Sequence, residues 1–322
     1  MTKFAGRRGS LAIAIEDTRG VAPTSSSDYF WIPFSTLSFK DTVEEAREEQ
    51  GMGNIADSDS KFVVMKMGEG EVESQIYDKA MGVILSAVLG SLPTTTGSDP
   101  YTHTYALANT NRHQSVALYW SDPDRSDMFK LGMIDSFGVT VEPSGIVNYT
   151  IGYKSKVADE WTSITPVFTS LGSKFLHQHL EVRLAANIGA LSGATPISLK
   201  NLEFTINKNT MFDSVMGTVE PEDILNQQLS VEGNLTLNLE DDTYRDYMLN
   251  GTYRAMEIKF NNGTSSSLTF QFPRVDFSTW EPDFTLNEIA KQSINFKCNY
   301  DATNALSIIS SAVLINTQSS YA

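Results

Sequence analysis

The sequence predicts a mainly β fold with two tandem β-sandwich or barrel domains, each flanked by one short α-helix. Apolar and polar residues alternate along segments such as residues 228–239, as they do in strands with one buried face. The second half of the chain repeats the order of the first: strand, acidic loop, strand, short helix and antiparallel strands. Gly90 and Gly251 follow the two predicted helices, where a left-handed residue is favoured.

The two copies correspond by pattern and order rather than by identity. In the first copy, residues 30–39 lead through an acidic loop to a strand at residues 61–75 and a helix at about residues 76–89. The second copy follows the same order with residues 197–206, 228–239 and about 241–249. The later strands are matched as residues 115–120 with 255–260, 130–141 with 267–279, and 147–153 with 294–300. A duplicated β unit is typical of symmetric assemblies.

A domain boundary is predicted at residues 162–173, which contain proline, glycine and several serines and threonines. The first domain, which includes an N-terminal arm, then spans residues 1–165, and the second spans residues 166–322. The apolar residues 305–317 are predicted to form a last strand or a docking tail.

The formal net charge of −15 argues against a protein that grips nucleic acid, because phosphate binding needs clustered Lys and Arg. It is compatible with a conduit whose acidic wall repels phosphates. The single cysteine, Cys298, excludes an internal disulfide and alternates onto the apolar face of a predicted strand. The longest apolar run, residues 81–89, is too short to span a bilayer.

No arrangement of residues predicts catalysis, a cofactor or a metal site. His177 and His179 lie two apart on one face of a predicted strand, but no third ligand follows at the spacing of a zinc site. The carboxylates within residues 122–127 lack the spacing of a calcium loop. We therefore expect that the protein is not an enzyme.

Residues 41–60 are predicted to form a long charged loop that is mobile in the free protein and ordered in an assembly. The loop contains two glycines and few large apolar residues, so it has little to bury alone. The second copy has a counterpart at residues 208–226. An inter-subunit role and a merely solvated loop both remain open, and the candidate contact residues are Glu44, Glu45, Arg47, Glu48 and Glu49.

A series of short motifs runs through the chain in a specific order, although each motif alone is only strand and turn patterning. In the first half they are residues 9–22 (GSLAIAIEDTRGVA), 31–34 (WIPF) and 70–73 (GEVE). In the second half they are residues 231–236 (VEGNLT), 242–251 (DTYRDYMLNG), 272–275 (FPRV) and 294–301 (INFKCNYD). This order resembles the tail tube proteins of long-tailed bacteriophages, in the siphophage major tail protein form with two tandem tube domains.

The resemblance implies that each tube domain is a β-sandwich and that rings of the protein stack into a hollow tube through which DNA leaves the capsid. It places the protein in the virion tail, after synthesis in the host cytoplasm, and implies no cofactor and no membrane. The implied partners are further copies of the chain, the tape measure protein and DNA in the lumen, and the tail terminator and baseplate proteins at the ends. With two tube domains per chain, a homotrimer suffices for a pseudo-sixfold ring, and a hexamer remains open.

DNA must slide through such a tube without being held, so we expect a lumen lined by carboxylate, hydroxyl and amide groups. The polar faces of two predicted strands meet this expectation. Because alternation assigns faces only in pairs, a register error of one residue would exchange the two faces. The candidate lumen residues are Glu71, Glu73, Gln75, Asn234, Thr236 and Asn238.

Two other functions compete with a tube subunit. Another tail component with the tube fold, such as a terminator, baseplate hub or tail-completion protein, would share the motifs. A carbohydrate-binding β-sandwich module would need an exposed aromatic platform, for which Tyr119, Trp120 and Tyr149 are the candidates.

Overall fold

The computed structural model describes residues 3–168 and 171–321, so residues 169 and 170 of the predicted linker and both chain ends lie outside the described residues. Strands hold 49% of the chain and helices 11%, which confirms the mainly β prediction. The predicted last strand is also present, as residues 311–316.

The first half contains a long series of strands and one helix. These elements are β1 (Ser10–Ile15), β2 (Phe30–Ile32), β3 (Phe34–Leu37), β4 (Lys40–Arg47), β5 (Lys61–Gln75), α1 (Asp78–Leu89), β6 (Thr94–Gly97), β7 (Tyr101–Tyr105), β8 (Val116–Ser121), β9 (Ser126–Val141), β10 (Asn148–Ser155) and β11 (Asp159–Glu160).

The second half follows a similar order. Its elements are β12 (Leu180–Ala185), β13 (Leu199–Asn207), β14 (Met211–Asp213), β15 (Asp223–Leu225), β16 (Ser230–Asn238), α2 (Thr243–Leu249), β17 (Arg254–Asn261), β18 (Ser267–Asp283), β19 (Lys291–Asn299) and β20 (Ser311–Asn316). As predicted, glycines with a positive φ follow both helices, Gly90 at 79° and Gly251 at 59°.

One antiparallel sheet runs through both halves of the chain. In the first half, β3 and β4 pair one after the other with the same edge of β5. β5 then pairs with β10, and β10 pairs with β9. In the second half the order is β13, β16, β19 and β18. The two parts join where β9 pairs with β13, from Ser136 opposite Asn207 to Val141 opposite Leu202. We call this the inner sheet.

The pairing in the two halves agrees down to the bulges. Ser35 is the extra residue where β3 meets β5, and Lys200 is the extra residue where β13 meets β16. Asp135 in β9 and Ser278 in β18 are likewise extra at matching points. Because a bulge fixes the register on either side of it, these positions align the two halves residue by residue.

This alignment corrects the sequence-based match of the later strands. Residues 136–141 correspond to residues 279–284, and residues 148–152 to residues 291–295. The match predicted for residues 147–153 was therefore wrong by four residues. The matches predicted for residues 115–120 and 130–141 were also wrong, by two residues and by five to six residues. An even error keeps a strand on its face, whereas an odd error exchanges the faces.

Further strands cover the inner sheet on its apolar side. β2, β1 and β8 pair with one another and with the first part of β9. β12, β17, the first part of β18, β20, β7 and β6 form the corresponding layer in the second half. The main core lies between the layers, and every residue of α1 except Lys79 is buried in it.

The prediction of a loop over residues 41–60 is wrong for much of that segment. β4 pairs with β5 from Lys40 opposite Glu69 to Arg47 opposite Lys61, which makes a long β-hairpin. Glu44, Glu45 and Arg47 therefore lie on a strand, and the turn comprises residues 48–60. The counterpart at residues 208–226 is also a hairpin, formed by β14 and β15.

The buried side chain of Lys208 joins the two halves at the end of α1. Its Nζ donates a hydrogen bond to the Ala87 carbonyl at 2.7 Å, where the helix C-terminus favours a positive charge. Nearby, Arg112 forms an ion pair with Asp223 at 2.9 Å. Burial lowers the pKa of Lys208 to about 7, although the negative charge of Asp135 opposes this shift.

We predict that Lys208 makes the stability of the protein depend on pH. Between about pH 7 and about pH 10.5 the unfolded chain holds a proton on Lys208 that the folded chain has lost. The free energy of unfolding should therefore rise with pH across this window, and Lys208→Met should abolish that rise. Urea unfolding of both proteins at several pH values in the window measures it, with the exposed Lys200→Met as the control. An equal pH dependence in all three proteins would contradict the assignment.

Candidate functional site: the polar face and open edges of the inner sheet

The three candidate lumen residues of the first half lie together on β5. Glu71 is exposed, and Glu73 and Gln75 are half-buried. They alternate with Val72 and Ser74, which are buried on the core side of the sheet. The alternation thus assigned this face correctly.

The candidates of the second half occupy the matching positions on β16. Asn234, Thr236 and Asn238 are half-buried and alternate with the buried Leu235 and Leu237. Pairing with β19 makes Asn234 the counterpart of Glu71 in the first half. The structure therefore brings all six candidates to one polar face of the inner sheet.

Rows of paired residues cross this face from one half to the other. One row runs through seven residues on adjacent strands, in the order Gln75, Asn148, Thr140, Glu203, Asn234, Asn295 and Thr279. Gln75 thus shares a row with Asn234, although its counterpart in the second half is Asn238. A row that crosses the four strands of one half therefore arrives four residues away from the counterpart of its starting residue.

This advance has the size that a closed barrel requires. With about 3.3 Å per residue along a strand and about 4.8 Å between strands, it corresponds to a strand tilt of about 35°. Strands in closed barrels tilt by about 35–45°. The inner sheet therefore has the stagger of a barrel wall.

The polar face carries an excess of negative charge. Its carboxylates include Glu69, Glu71, Glu73, Asp135, Glu203, Glu232, Asp276, Glu281 and Asp283, and its ammonium groups include Lys40, Lys154, Lys291 and Lys297. Lys297 pairs with Glu232 at 2.7 Å, and Lys154 lies 3.4 Å from Asp135. These paired lysines were not among the candidates, although alternation with the apolar Tyr153 on β10 and Phe296 on β19 could have assigned them to the polar face.

Two glycines on the core side of the inner sheet let neighbouring chain segments approach closely. Gly70 has a φ of 153°, and a Cβ there would lie 2.5 Å from the Cα of Phe39. Its counterpart, Gly233, is opposite Phe204. The corresponding Phe–Gly contacts add to the agreement between the two halves.

The inner sheet ends in two open edges. Within residues 3–168 and 171–321, β3 and β4 pair only with β5, and residues 276–283 of β18 pair only with β19. By the alignment of the two halves, the first edge corresponds to β13 and the second to β9. These edges are thus counterparts of the two strands that join inside the chain.

The β4–β5 hairpin extends beyond the sheet and exposes apolar side chains. Val43, Phe62 and Val64 are 46%, 56% and 49% exposed, and Ile55 in the turn is fully exposed. Glu45 forms an ion pair with Lys61 at 2.6 Å, and this hydrogen bond lowers the pKa of Glu45. Such exposed apolar surface on a projecting ribbon is typical of a contact site.

The structure contradicts the rival aromatic platform and the predicted strand at residues 177–179. Tyr119 and Tyr149 are buried, and Trp120 packs edge-on against Phe34. His177 belongs to a short 3-10 turn rather than to a strand. Among the described residues, no group of three or more His, Cys, Asp or Glu could hold a metal ion.

The single cysteine lies in the core, and neither helix is long. Cys298 is buried in β19, as predicted, and burial raises the pKa of its thiol. In the part of the chain that the structure describes, no helix has the length and apolar character needed to cross a bilayer.

Comparison with known proteins identifies the family. A sequence model described as phage tail tube protein matches residues 6–298, nearly the whole chain. No curated protein matches it. The match confirms the resemblance that the motifs indicated. The chain belongs to the phage tail tube protein family: it is a structural, non-enzymatic component of the phage tail in the virion.

Proposed function

We propose that three copies of the chain form one ring of the tail tube, and that each copy supplies two tandem tube domains, residues 1–165 and 166–322. The carrying observation is the β9–β13 pairing, which joins the end of one half to the start of the next. Repeating that junction between chains would pair β18 with β3 and β4 of the neighbour. The inner sheet would then close on itself without free edges.

The internal junction specifies the register between chains. Ser136 corresponds to Thr279 in the alignment of the two halves, and Asn207 corresponds to Thr42. Because Ser136 is opposite Asn207 inside the chain, Thr279 would be opposite Thr42 of the next copy. Lys40 of that copy would then be opposite Glu281. Opposite charges thus meet across the new pairing. Pro282 in the same edge has no N–H, so it can only accept a hydrogen bond there.

The number of chains follows from the width that a DNA conduit requires. Each chain contributes eight strand positions to the inner sheet. At a tilt of about 35°, three chains give a barrel about 45 Å across between backbones and about 35 Å between side chains. Two chains would leave only about 20 Å, which a DNA duplex with its counterions would fill.

The polar face then lines the channel through which the tape measure protein and DNA pass. Its excess of carboxylates repels phosphates, and the pairing of lysines with carboxylates limits their affinity for DNA. Glu71, Glu73, Gln75, Asn234, Thr236 and Asn238 would all face the lumen in this arrangement.

We also propose that the β4–β5 hairpin contacts the next ring. Strands of a barrel run obliquely along its axis, so a hairpin that continues a strand leaves the ring in the axial direction. Its base is held within the chain, where the backbone N–H of Lys66 donates to the Val219 carbonyl at 2.7 Å. The exposed Ile55 and the charged Glu48 and Glu49 would then meet a neighbouring ring.

We predict that Thr42→Cys combined with Thr279→Cys forms disulfides between copies in assembled protein. Residues directly opposite each other on antiparallel strands lie within disulfide range. On a denaturing gel the oxidised protein should give dimers and trimers and nothing larger, whereas a six-chain ring would give bands up to six. Thr42→Cys with Glu281→Cys, which is out of register by two residues, is the control. Efficient cross-linking of that control alone would contradict the register.

We predict that replacing Glu71 and Glu73 by Lys leaves tube assembly intact but makes the lumen retain DNA. Each added cation contributes phosphate affinity that weakens as salt is raised. Virions carrying the variant should eject DNA more slowly, most strongly at low ionic strength. Asp17→Lys with Asp99→Lys makes the same charge change away from the inner sheet. Unchanged ejection at every salt concentration would mean that these residues do not line the channel.

We predict that replacing residues 49–58 by Asn-Gly leaves rings intact but prevents stacking. The short turn suits a two-residue hairpin, so the protomer should fold normally. Electron microscopy should show rings without tubes, and Ile55→Asp should weaken stacking in the same direction. Asp57→Asn, in the same turn, serves as the control. If the shortened protein forms tubes of normal length, the hairpin is merely solvated.

A further inference from the structure

A short segment between the halves docks onto the first half at the start of α1. Phe175 is fully buried, and its backbone N–H donates to the Ile76 carbonyl at 3.4 Å. Its carbonyl accepts a hydrogen bond from the N–H of Val147 at 3.1 Å. The next residue, Leu176, forms a β-bridge with Ile146, which precedes Val147 in the β9–β10 turn. Residues 174–176 thus lie between the end of β5 and that turn.

Residues 3–8 have the same local structure as residues 174–179. The pairing of β1 with β8 and of β12 with β17 aligns Ser10 with Glu181. The same offset places Lys3 and Phe4 on Lys174 and Phe175, and it superimposes two short 3-10 turns, Gly6–Arg8 and His177–His179. Yet Phe4 is 48% exposed, whereas Phe175 is fully buried.

The second half carries an unfilled counterpart of the docking site. The Leu239 N–H donates to the Ala290 carbonyl at 2.9 Å, as the Ile76 N–H donates to the Val147 carbonyl at 3.0 Å. Ile289, the counterpart of Ile146, is 67% exposed. Leu239 and Ala290 are half-buried, whereas Ile76 and Val147 are completely covered.

The charges of the two surfaces are complementary. The exposed segment carries Lys3, Arg7 and Arg8. The unfilled site is flanked by exposed carboxylates, Glu240, Asp241, Asp242 and Glu288. In the filled site, Lys174 lies over the Tyr77 ring, and Glu240 stands at the position of Tyr77. Opposite charges on two such surfaces would add to the apolar contact of the phenylalanine.

We propose that residues 3–8 of each copy dock onto the second half of a neighbouring copy, with Phe4 between Leu239 and Ala290. The proposal rests on the ring described above, because the neighbour that receives the segment would also pair its β18 with the β3–β4 edge of the donating copy. The docked segment accepts and donates the backbone hydrogen bonds that Phe175 makes inside the chain. It is a second clasp between copies, separate from the sheet edge.

The test is a disulfide at the transferred contact. Leu176 opposite Ile146 becomes Ala5 opposite Ile289 of the neighbour. Ala5→Cys with Ile289→Cys should therefore cross-link copies into dimers and trimers when rings are oxidised. Ala5→Cys with Ile146→Cys is the matched control, since Leu176 of the same chain already covers Ile146, and it should stay monomeric on a denaturing gel.

A single substitution gives an independent measurement. Phe4 is exposed within its own chain, so Phe4→Ala should leave the unfolding midpoint of the protomer unchanged. It should raise the protein concentration needed for ring formation by about tenfold or more, since it removes a buried aromatic side chain from every junction. Leu92→Ala removes another exposed apolar side chain, at 42% exposure, and should change nothing.

The outcomes separate this clasp from the ring itself. If rings form and Thr42→Cys cross-links to Thr279→Cys, but the Ala5 and Ile289 pair does not and Phe4→Ala assembles normally, the clasp is overturned and the ring stands. If the unmodified protein forms no rings under any condition, both proposals fail. Loss of the Ala5 cross-link in high salt, with the sheet-edge cross-link retained, would support the charged contact.

Discussion

The hydrogen-bonding requirement of the sheet edges is the constraint on which the rest of the structure depends. Every strand of the inner sheet has backbone groups that need partners, and inside the chain the end of β9 finds them in β13. The same sequence order leaves β3, β4 and the end of β18 without a second neighbour among the described residues. The pairing of β9 with β13 leaves no open edge between the two halves. The two remaining edges can be paired only by another copy of the chain.

The two helices show what the internal junction accomplishes. α1 is enclosed by β2, β9 and β20, and Lys208 of the second half contacts its last turn. α2 packs mainly on β18 and leaves Leu249 62% exposed. The helix sequences agree with this difference, since α1 has twelve mostly apolar residues, whereas α2 has seven and includes Arg245 and Asp246. The first half also has a neighbour within the chain at β13, and in the proposed ring the second half would meet its neighbour at β18.

Strand alternation was sufficient to assign the polar face, because Val72 and Leu235 could only point to the core. It could not fix the register of the repeat, since a shift of four residues keeps every side chain on its face. β4 was taken for a loop because its eight residues include only one large apolar residue, Val43. Tyr119 and Tyr149 remained candidates for an exposed platform in the rival function because their burial depends on strands far away in the sequence. The match between Phe4 and Phe175 emerged only from the pairing of β1 and β12 with their partners.

The central claim is that copies of the chain join as its two halves do. Electron cryo-microscopy of assembled tubes tests it most directly. We expect three chains per ring, a continuous inner barrel of twenty-four strand positions, and Thr42 of one copy opposite Thr279 of the next. A ring of six chains, or a lumen wall in which the end of β18 does not pair with β3 and β4 of a neighbour, would contradict the account.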